Sequence, residues 1–272
     1  MGNAKVKHNM FDMVGEILRE TAAAVVMPRF AALQPGDILM KAANDPVTIA
    51  DREAEAMIDR ALQALLPSAR IVGEEACATN PALLDDLGEG TVWIVDPIDG
   101  TANFAAGRAP FAMMIALLEQ GELAGSWIFD PLSDRLSVAQ RGGGAWIDGE
   151  RLCTDVSPIG LSELNGIVSE AFLPPAKRGL VDRIRAAVGS TVPSARCAGH
   201  EYPLVATGAR QFALYWRTLV WDHAPGALLL TEAGGSVTCL DGTPYDPCRS
   251  KPGLLLAYNP AIARELISLT TS

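Results

Sequence analysis

Trp93-Ile94-Val95-Asp96-Pro97-Ile98-Asp99-Gly100-Thr101-Ala102-Asn103-Phe104 is the stretch from which the rest of the chain can be read. Val92 to Val95 is an apolar run suited to a buried strand, and Asp-Pro-Ile-Asp-Gly stops it abruptly. Two carboxylates three residues apart at the end of such a strand are costly to hold unless positive charge neutralises them. Hard divalent cations such as Mg²⁺ favour oxygen ligands of this kind. The small residues after Asp99 allow a helix to begin, its first amide N–H groups directed at an anion. Carboxylates for a metal beside a cradle for phosphate suit phosphoryl transfer. Without partners elsewhere in the chain, the same residues would be an acidic turn after a core strand.

The bulk properties narrow the possibilities. A chain of 272 residues has room for one large domain or two small ones, and should bury roughly 70–75% of its unfolded surface. With 49% hydrophobic and 20% charged residues it is globular rather than disordered. A formal charge of −10 argues against a nucleic-acid binder that works through a basic face. It does not exclude a phosphorylated small substrate, because bound cations reverse the local sign. Cys77, Cys153, Cys197, Cys239 and Cys248 form no Cys-x-x-Cys pair and read as reduced thiols of a cytosolic protein. The start of the chain lacks the apolar segment of a secretory signal, and Ala22 to Met27 is too short to span a bilayer. A cytoplasmic protein with no membrane or nucleic-acid partner is expected.

Apolar side chains at Phe11, Val14, Ile17 and Leu18 predict a helix over 10–33. Pro35-Gly36 ends it and opens a loop through Asp45-Pro46. A second helix follows with Asp51 at its head and Met57, Ile58, Ala61, Leu62 and Leu65 on its buried side. Arg70 to Gly73 is a short strand stopping at Glu74-Glu75, and a mobile linker is expected over roughly 76–90. Strands at 112–118, 123–129 and 135–139, separated by turn residues, suggest an antiparallel meander. The triple glycine at 142–144 opens no helix and lacks the Lys-Ser/Thr of a P-loop, so it is read as hairpin chemistry. The later part alternates, with strands at 166–170, 212–216 and 254–257 and helices at 177–188, 201–207 and 221–233. The sum is a layered α+β and α/β chain, read as one catalytic domain with lobes of about 1–150 and 151–272.

Asp51, Glu74, the Asp96/Asp99 pair and Asp222 share one context, each lying where a strand or loop meets a helix. Taken singly they are weak signals: Asp51 suits an N-cap, Glu74-Glu75 a solvated turn, Asp222 a helix cap. Together they supply carboxylate oxygen for two or more Mg²⁺ ions, which can clamp both the entering and leaving oxygens of a phosphoester. A metal-activated water needs no histidine base, and His223, next to Asp222, is read as supporting a neighbouring ligand or as packing, rather than as a ligand itself. No G-x-S-x-G elbow is present, and none of the cysteines sits in an electropositive motif.

Trp93 to Phe104, and Trp221-Asp222-x-Ala224-x-Gly226 with Glu232-Ala233-Gly234-Gly235, resemble the two signatures of the inositol monophosphatase family of Mg²⁺-dependent, lithium-sensitive phosphatases. Gly73-Glu74-Glu75 and Val47-Thr48-Ile49-Ala50-Asp51 fit in family order, so the resemblance covers roughly residues 10 to 270. It implies an α-β-α-β-α sandwich of the inositol monophosphatase and fructose-1,6-bisphosphatase type, a homodimer, and two or three Mg²⁺ per site. By resemblance, Glu74, Asp96, the carbonyl of Ile98 and Thr101 would serve one metal, and Asp96, Asp99 and Asp222 the second. Asp51 and Thr101, with Glu74, would act on the attacking water. Asp99, Gly100, Thr101 and Ala198 would hold the phosphate and substrate.

The chain departs from that pattern where the alcohol is read. Family members acting on inositol phosphates commonly place a Glu seven residues before the Asp of Trp-Asp and a His three before it. Here those positions are Tyr215 and Leu219. Tyr215 and Arg217 are therefore the expected substrate-reading residues, with the fork of Arg217 suited to a second phosphate or carboxylate. The reading is a phosphomonoesterase for a small phosphorylated metabolite. Its alternatives are a 3′(2′),5′-bisphosphate nucleotidase, a fructose-1,6-bisphosphatase or a histidinol-phosphatase, and, from another class, a non-catalytic interaction protein.

Overall fold

A computed structural model describes residues 2–42, 45–249 and 251–270. The chain begins with α1 (Gly2–Thr21), a ribbon of β1 (Ile38–Ala42) and β2 (Asp45–Thr48), and α2 (Ile49–Leu65). β3 (Arg70–Gly73), α3 (Glu74–Thr79), β4 (Thr91–Asp99) and α4 (Thr101–Ala105) follow. The meander is β5 (Ala112–Glu119), β6 (Glu122–Asp130), β7 (Arg135–Gln140), β8 (Gly144–Ile147) and β9 (Glu150–Leu152). The remainder is β10 (Asn165–Val168), α5 (Arg178–Ala187), β11 (Ser190–Pro193), α6 (Ala198–Ala206), β12 (Phe212–Tyr215), α7 (Val220–Glu232), β13 (Ser236–Cys239), β14 (Leu254–Ala257) and α8 (Pro260–Ser268).

Seven strands form one sheet in the order β3-β4-β5-β6-β7-β8-β9, antiparallel except for the β3–β4 pair. Five form a second, β11-β10-β12-β14-β13, in which β10 runs parallel to both neighbours. The period-2 alternation of strands divides the buried residues between layers. Trp93, Val95, Met113, Ile115 and Leu117 face α1 and α2, meeting Val14, Leu18, Ile58 and Leu62. Met114 and Ile128, on the opposite face, join α6, α7 and the residues Ala213, Leu254 and Leu256 of the second sheet. Phe212, Leu214 and Leu255 pack outward on α5 and α8. The result is the expected α-β-α-β-α sandwich. Each fully buried large side chain in these layers contributes about 1.5–3 kcal/mol.

Local expectations shift in instructive ways. The first helix ends at Thr21 and continues as a π turn over Ala22–Val26 and a 3₁₀ turn over Met27–Arg29, so its apolar face is broken short of residue 33. The loop expected through Asp45-Pro46 is instead taken up by the β1–β2 ribbon. The linker over 76–90 is ordered in part: α3 fills its start and a 3₁₀ turn, Pro81–Leu84, follows. Asp51 is not the N-cap of α2. Thr48 is, and Asp51 sits three residues on, closing a capping box. The helix expected at 201–207 begins earlier, at Ala198. No helix among the described residues is long and apolar enough to cross a membrane.

Candidate active site

The opening stretch forms the centre of the site. β4 pairs with β5 up to Asp96, loses register between Asp96 and Asp99, and re-pairs at Asp99 with Ala112. That irregularity re-aims the strand end, as bulges beside active sites commonly do. Gly100 then takes φ 85°, where a Cβ would also lie 3.0 Å from the carbonyl oxygen of Pro110, so a glycine is required there. α4 starts at once behind it, and its first amides have no partner within the helix.

Asp96, Asp99 and Asp222 converge, each offering a carboxylate oxygen within 4.8 Å of the others. Asp222 arrives in the first turn of α7. The three come from both sheets' surroundings and line one cleft together with Glu74, Ile98, Gly100, Thr101, Ala198, Tyr215 and Arg217. Asp96 Oδ1 is buried with no hydrogen-bond partner among the described residues. Burial, reinforced by the other acids, pushes the Asp96 carboxyl far above the usual carboxylate range. Asp99 is raised to about 7 by burial, although Gly199 N donates to its Oδ2 at 2.6 Å. A buried acceptor left unpaired amid like charges is what a divalent cation relieves, and a donor set of oxygens suits Mg²⁺.

Asp51 stands behind this surface. Its Oδ2 accepts from the amide (2.8 Å) and hydroxyl (2.6 Å) of Thr48, and its Oδ1 faces the Thr101 hydroxyl at 3.1 Å. The same hydroxyl lies 2.9 Å from the Ile98 carbonyl, so one proton has two acceptors. Burial raises Asp51 to about 7. Glu74 lines the cleft but stands apart from the three converging acids. Its Oε1 accepts from Lys41 Nζ at 2.8 Å, and Lys41 also donates to Glu75 at 2.6 Å. Burial pulls the Lys41 amine down, but the two glutamates outweigh it and hold it above the ordinary lysine range.

Tyr215 ends β12 with its ring against the cleft and its hydroxyl donated to the buried Glu201. Arg217 follows two residues later, its guanidinium carbon 4.2 Å from the centroid of Phe172. His223 is buried between Tyr202 and the Arg217 backbone, with ring nitrogens 3.1 Å from the Tyr202 hydroxyl and 3.0 Å from the Arg217 carbonyl. Burial lowers its pKa to about 4, so Nε2–H donates to that carbonyl and Nδ1 accepts from the tyrosine. His223 is thus held by burial and two hydrogen bonds at the edge of the cleft.

Lys41, Glu55, Phe172, Arg196 and Glu201 were not singled out from the sequence. Glu55 takes the amides of Glu75 (2.7 Å) and Ala76 (2.8 Å), capping α3 and thereby fixing Glu74. It lies one turn after Asp51 on the same helix face, a spacing the sequence does display. Glu201 opens the helix read at 201–207 but carries no motif there, and Lys41, Phe172 and Arg196 sit in segments without periodicity.

A model of the inositol monophosphatase family matches residues 8–271. An inositol-1-monophosphatase of Rhizobium meliloti is 33% identical, covering 78% of this chain and 79% of its own. A histidinol-phosphatase of Chlorobaculum parvum is also 33% identical, over 85% of each chain. Among solved structures, the Thermotoga maritima IMPase superposes with a TM-score of 0.77 at 25% identity, covering 100% of this chain and 97% of that one.

Proposed function

Because the chain belongs to the inositol monophosphatase family, and is thus a phosphoric monoester hydrolase, we propose that it is a Mg²⁺-dependent phosphomonoesterase for a small phosphorylated metabolite. The observation that carries the metal dependence is the convergence of Asp96, Asp99 and Asp222 around a buried, unpartnered carboxylate oxygen. These three, with Glu74, the Ile98 carbonyl and the Thr101 hydroxyl, would hold two or three ions. When bound, the ions supply the positive charge that phosphoryl transfer requires at the entering and leaving oxygens.

The protein's own groups have separable tasks on this reading. Thr101 accepts a proton from the attacking water as its own passes to Asp51, whose pKa of about 7 suits a base near neutrality. The first amides of α4, behind Gly100, and the start of α6 at Ala198 bind the phosphate oxygens. Glu55 holds Glu74 in place through α3. The two lobes work as a single catalytic unit, since Asp222 and Tyr215 come from one and the remaining acids from the other. Lithium sensitivity, a homodimer and a cytoplasmic location carry over from the sequence reading as parts of this proposal.

Equal identity to an inositol-1-monophosphatase and a histidinol-phosphatase leaves the alcohol open, and a histidinol-phosphatase remains the second reading. Phosphate release from an aryl phosphate, with Mg²⁺ and with a chelator, tests the proposal. Turnover only with Mg²⁺, inhibited by Li⁺, is expected, and turnover unaffected by chelation would overturn it.

A further inference from the structure

Besides its acids the cleft is lined by two arginines, Arg196 and Arg217, and by an aromatic ring, Phe172. Phe172 is 54% exposed and holds a positive φ of 61°, an uncommon backbone state for a large side chain. It is kept beside Arg217 by Trp216, whose indole N–H donates to the Ser169 carbonyl at 2.6 Å and joins the Phe172 segment to the end of β12. Arg217 is therefore fixed at both its ends: the carbonyl by His223 and the guanidinium by the Phe172 ring. Among the described residues no carboxylate pairs with Arg217. A half-buried guanidinium with a fixed orientation, stacked on an aromatic face rather than spent on an ion pair, is preorganised to receive an oxyanion.

The same cleft offers little to a neutral polyol. Tyr215 gives its hydroxyl proton to Glu201, and Glu201 is further occupied by Ser194 Oγ at 3.2 Å and the Ala195 amide. Those bonds also hold the segment on which Arg196 sits at φ 59°. Asn103, from the opening stretch, fixes the same segment by donating to the Ala195 carbonyl at 2.9 Å. The Glu201 carboxylate thus serves to place an arginine.

Resting on the phosphomonoesterase reading, we infer that the substrate carries a second anionic group, a carboxylate or another phosphate, on its alcohol part, and that Arg217 receives it with Arg196 beside the cleft. Two matched pairs of esters test this on the full chain with Mg²⁺: propanediol monophosphate against the bisphosphate, and glycerol phosphate against phosphoglycerate. The first pair differs by a second phosphoryl group in place of a hydroxyl and the second by a carboxylate in place of a hydroxymethyl group, and the pair showing the larger gap identifies which anion is read. A kcat/KM preference of about 10- to 100-fold for a doubly charged member is expected, and Arg217→Ala should collapse that ratio toward one. Arg217→Lys should recover only part of it, because the fork is lost.

Equal kcat/KM within both pairs, or an Arg217→Ala loss equal on charged and neutral esters, would overturn the inference; the latter would mean that Arg217 serves the reacting phosphate instead. No phosphate release from any ester, aryl phosphate included, would defeat the enzymatic reading separately. Calorimetric binding of the same pairs then reads the arginines directly, and equal affinities would sink the inference.

Discussion

Lys41 Nζ lies 2.8 Å from Oε1 of Glu74, so an ammonium occupies a carboxylate oxygen that the proposed chemistry assigns to a metal ion. The side chains are only 17% and 16% exposed, and breaking a sheltered pair leaves uncompensated charge behind. Lys41→Met should lower the stability of the metal-free protein by about 1–3 kcal/mol. Mg²⁺ should restore more stability in this variant than in the parent protein, because the metal then meets less competition at Glu74. Urea unfolding with EDTA and with Mg²⁺ measures both quantities, and an unchanged midpoint in EDTA would contradict the expectation.

Asp96 has the least favourable surroundings of any acid in the site, with burial and four neighbouring carboxylates all opposing its charge. Asp96→Asn removes charge while keeping shape. It should abolish turnover and Mg²⁺ binding, yet leave the metal-free protein as stable as the parent or more so by about 1–3 kcal/mol. Isothermal calorimetry for the metal and thermal unfolding for the fold separate the two effects. An active Asp96→Asn enzyme would refute the assignment.

The metal-free protein should lose stability as pH rises toward neutrality. Burial raises Asp51 and Glu55 to about 7 in the folded chain, whereas in the unfolded chain such groups titrate near about 4. Between those values the folded state keeps protons that the unfolded state has released, so the stability present below about pH 4 is lost as pH climbs through about 7. Tm in EDTA should therefore fall across this window, and Mg²⁺ should flatten the fall at its upper end. A Tm rising throughout in EDTA would show that the acids are not held as the geometry indicates.

The Thr101–Asp51 hydrogen bond should matter to rate more than to binding. Thr101→Ala, or Asp51→Asn, is expected to reduce kcat by about 10²–10⁴-fold with a much smaller change in KM, the range of a positioned proton acceptor. A variant that raised KM alone would mean that the pair serves binding instead.

Tyr215→Phe separates ring from hydroxyl. The hydroxyl satisfies buried Glu201, so its removal should cost about 1–3 kcal/mol of stability, while the ring that borders the cleft stays. Thermal unfolding beside steady-state kinetics checks it, with Tm falling and KM little changed.

The acids were legible because each stands at an element boundary marked by its neighbours: Val-Asp-Pro before Ile-Asp-Gly, Val-Gly before Glu74, Thr-Ile-Ala before Asp51. Long periodic stretches such as 54–62 and 112–118 were legible for the same reason, since burial imposes a repeat that composition displays. The misses are short or aperiodic. α3 spans six residues and β11 and β13 four each, too few to show a period. The strand carrying Lys41 lies between Pro-Gly and Asp-Pro and reads as a loop. Arg196 has its place because Asn103, 92 positions before Ala195, holds that residue's carbonyl, a relation no local pattern encodes.

The hydrogen bond from His223 to the carbonyl of Arg217 has a bearing on how such a chain diverges. His223 adjoins Asp222, so the helix that delivers one carboxylate of the acidic cluster also anchors Arg217, and it does so through the main chain. A side chain at position 217 can then be replaced without disturbing the anchor or the ligand beside it. Selection has a socket there in which different recognition groups can be tried while the hydrolytic half of the protein is left as it stands.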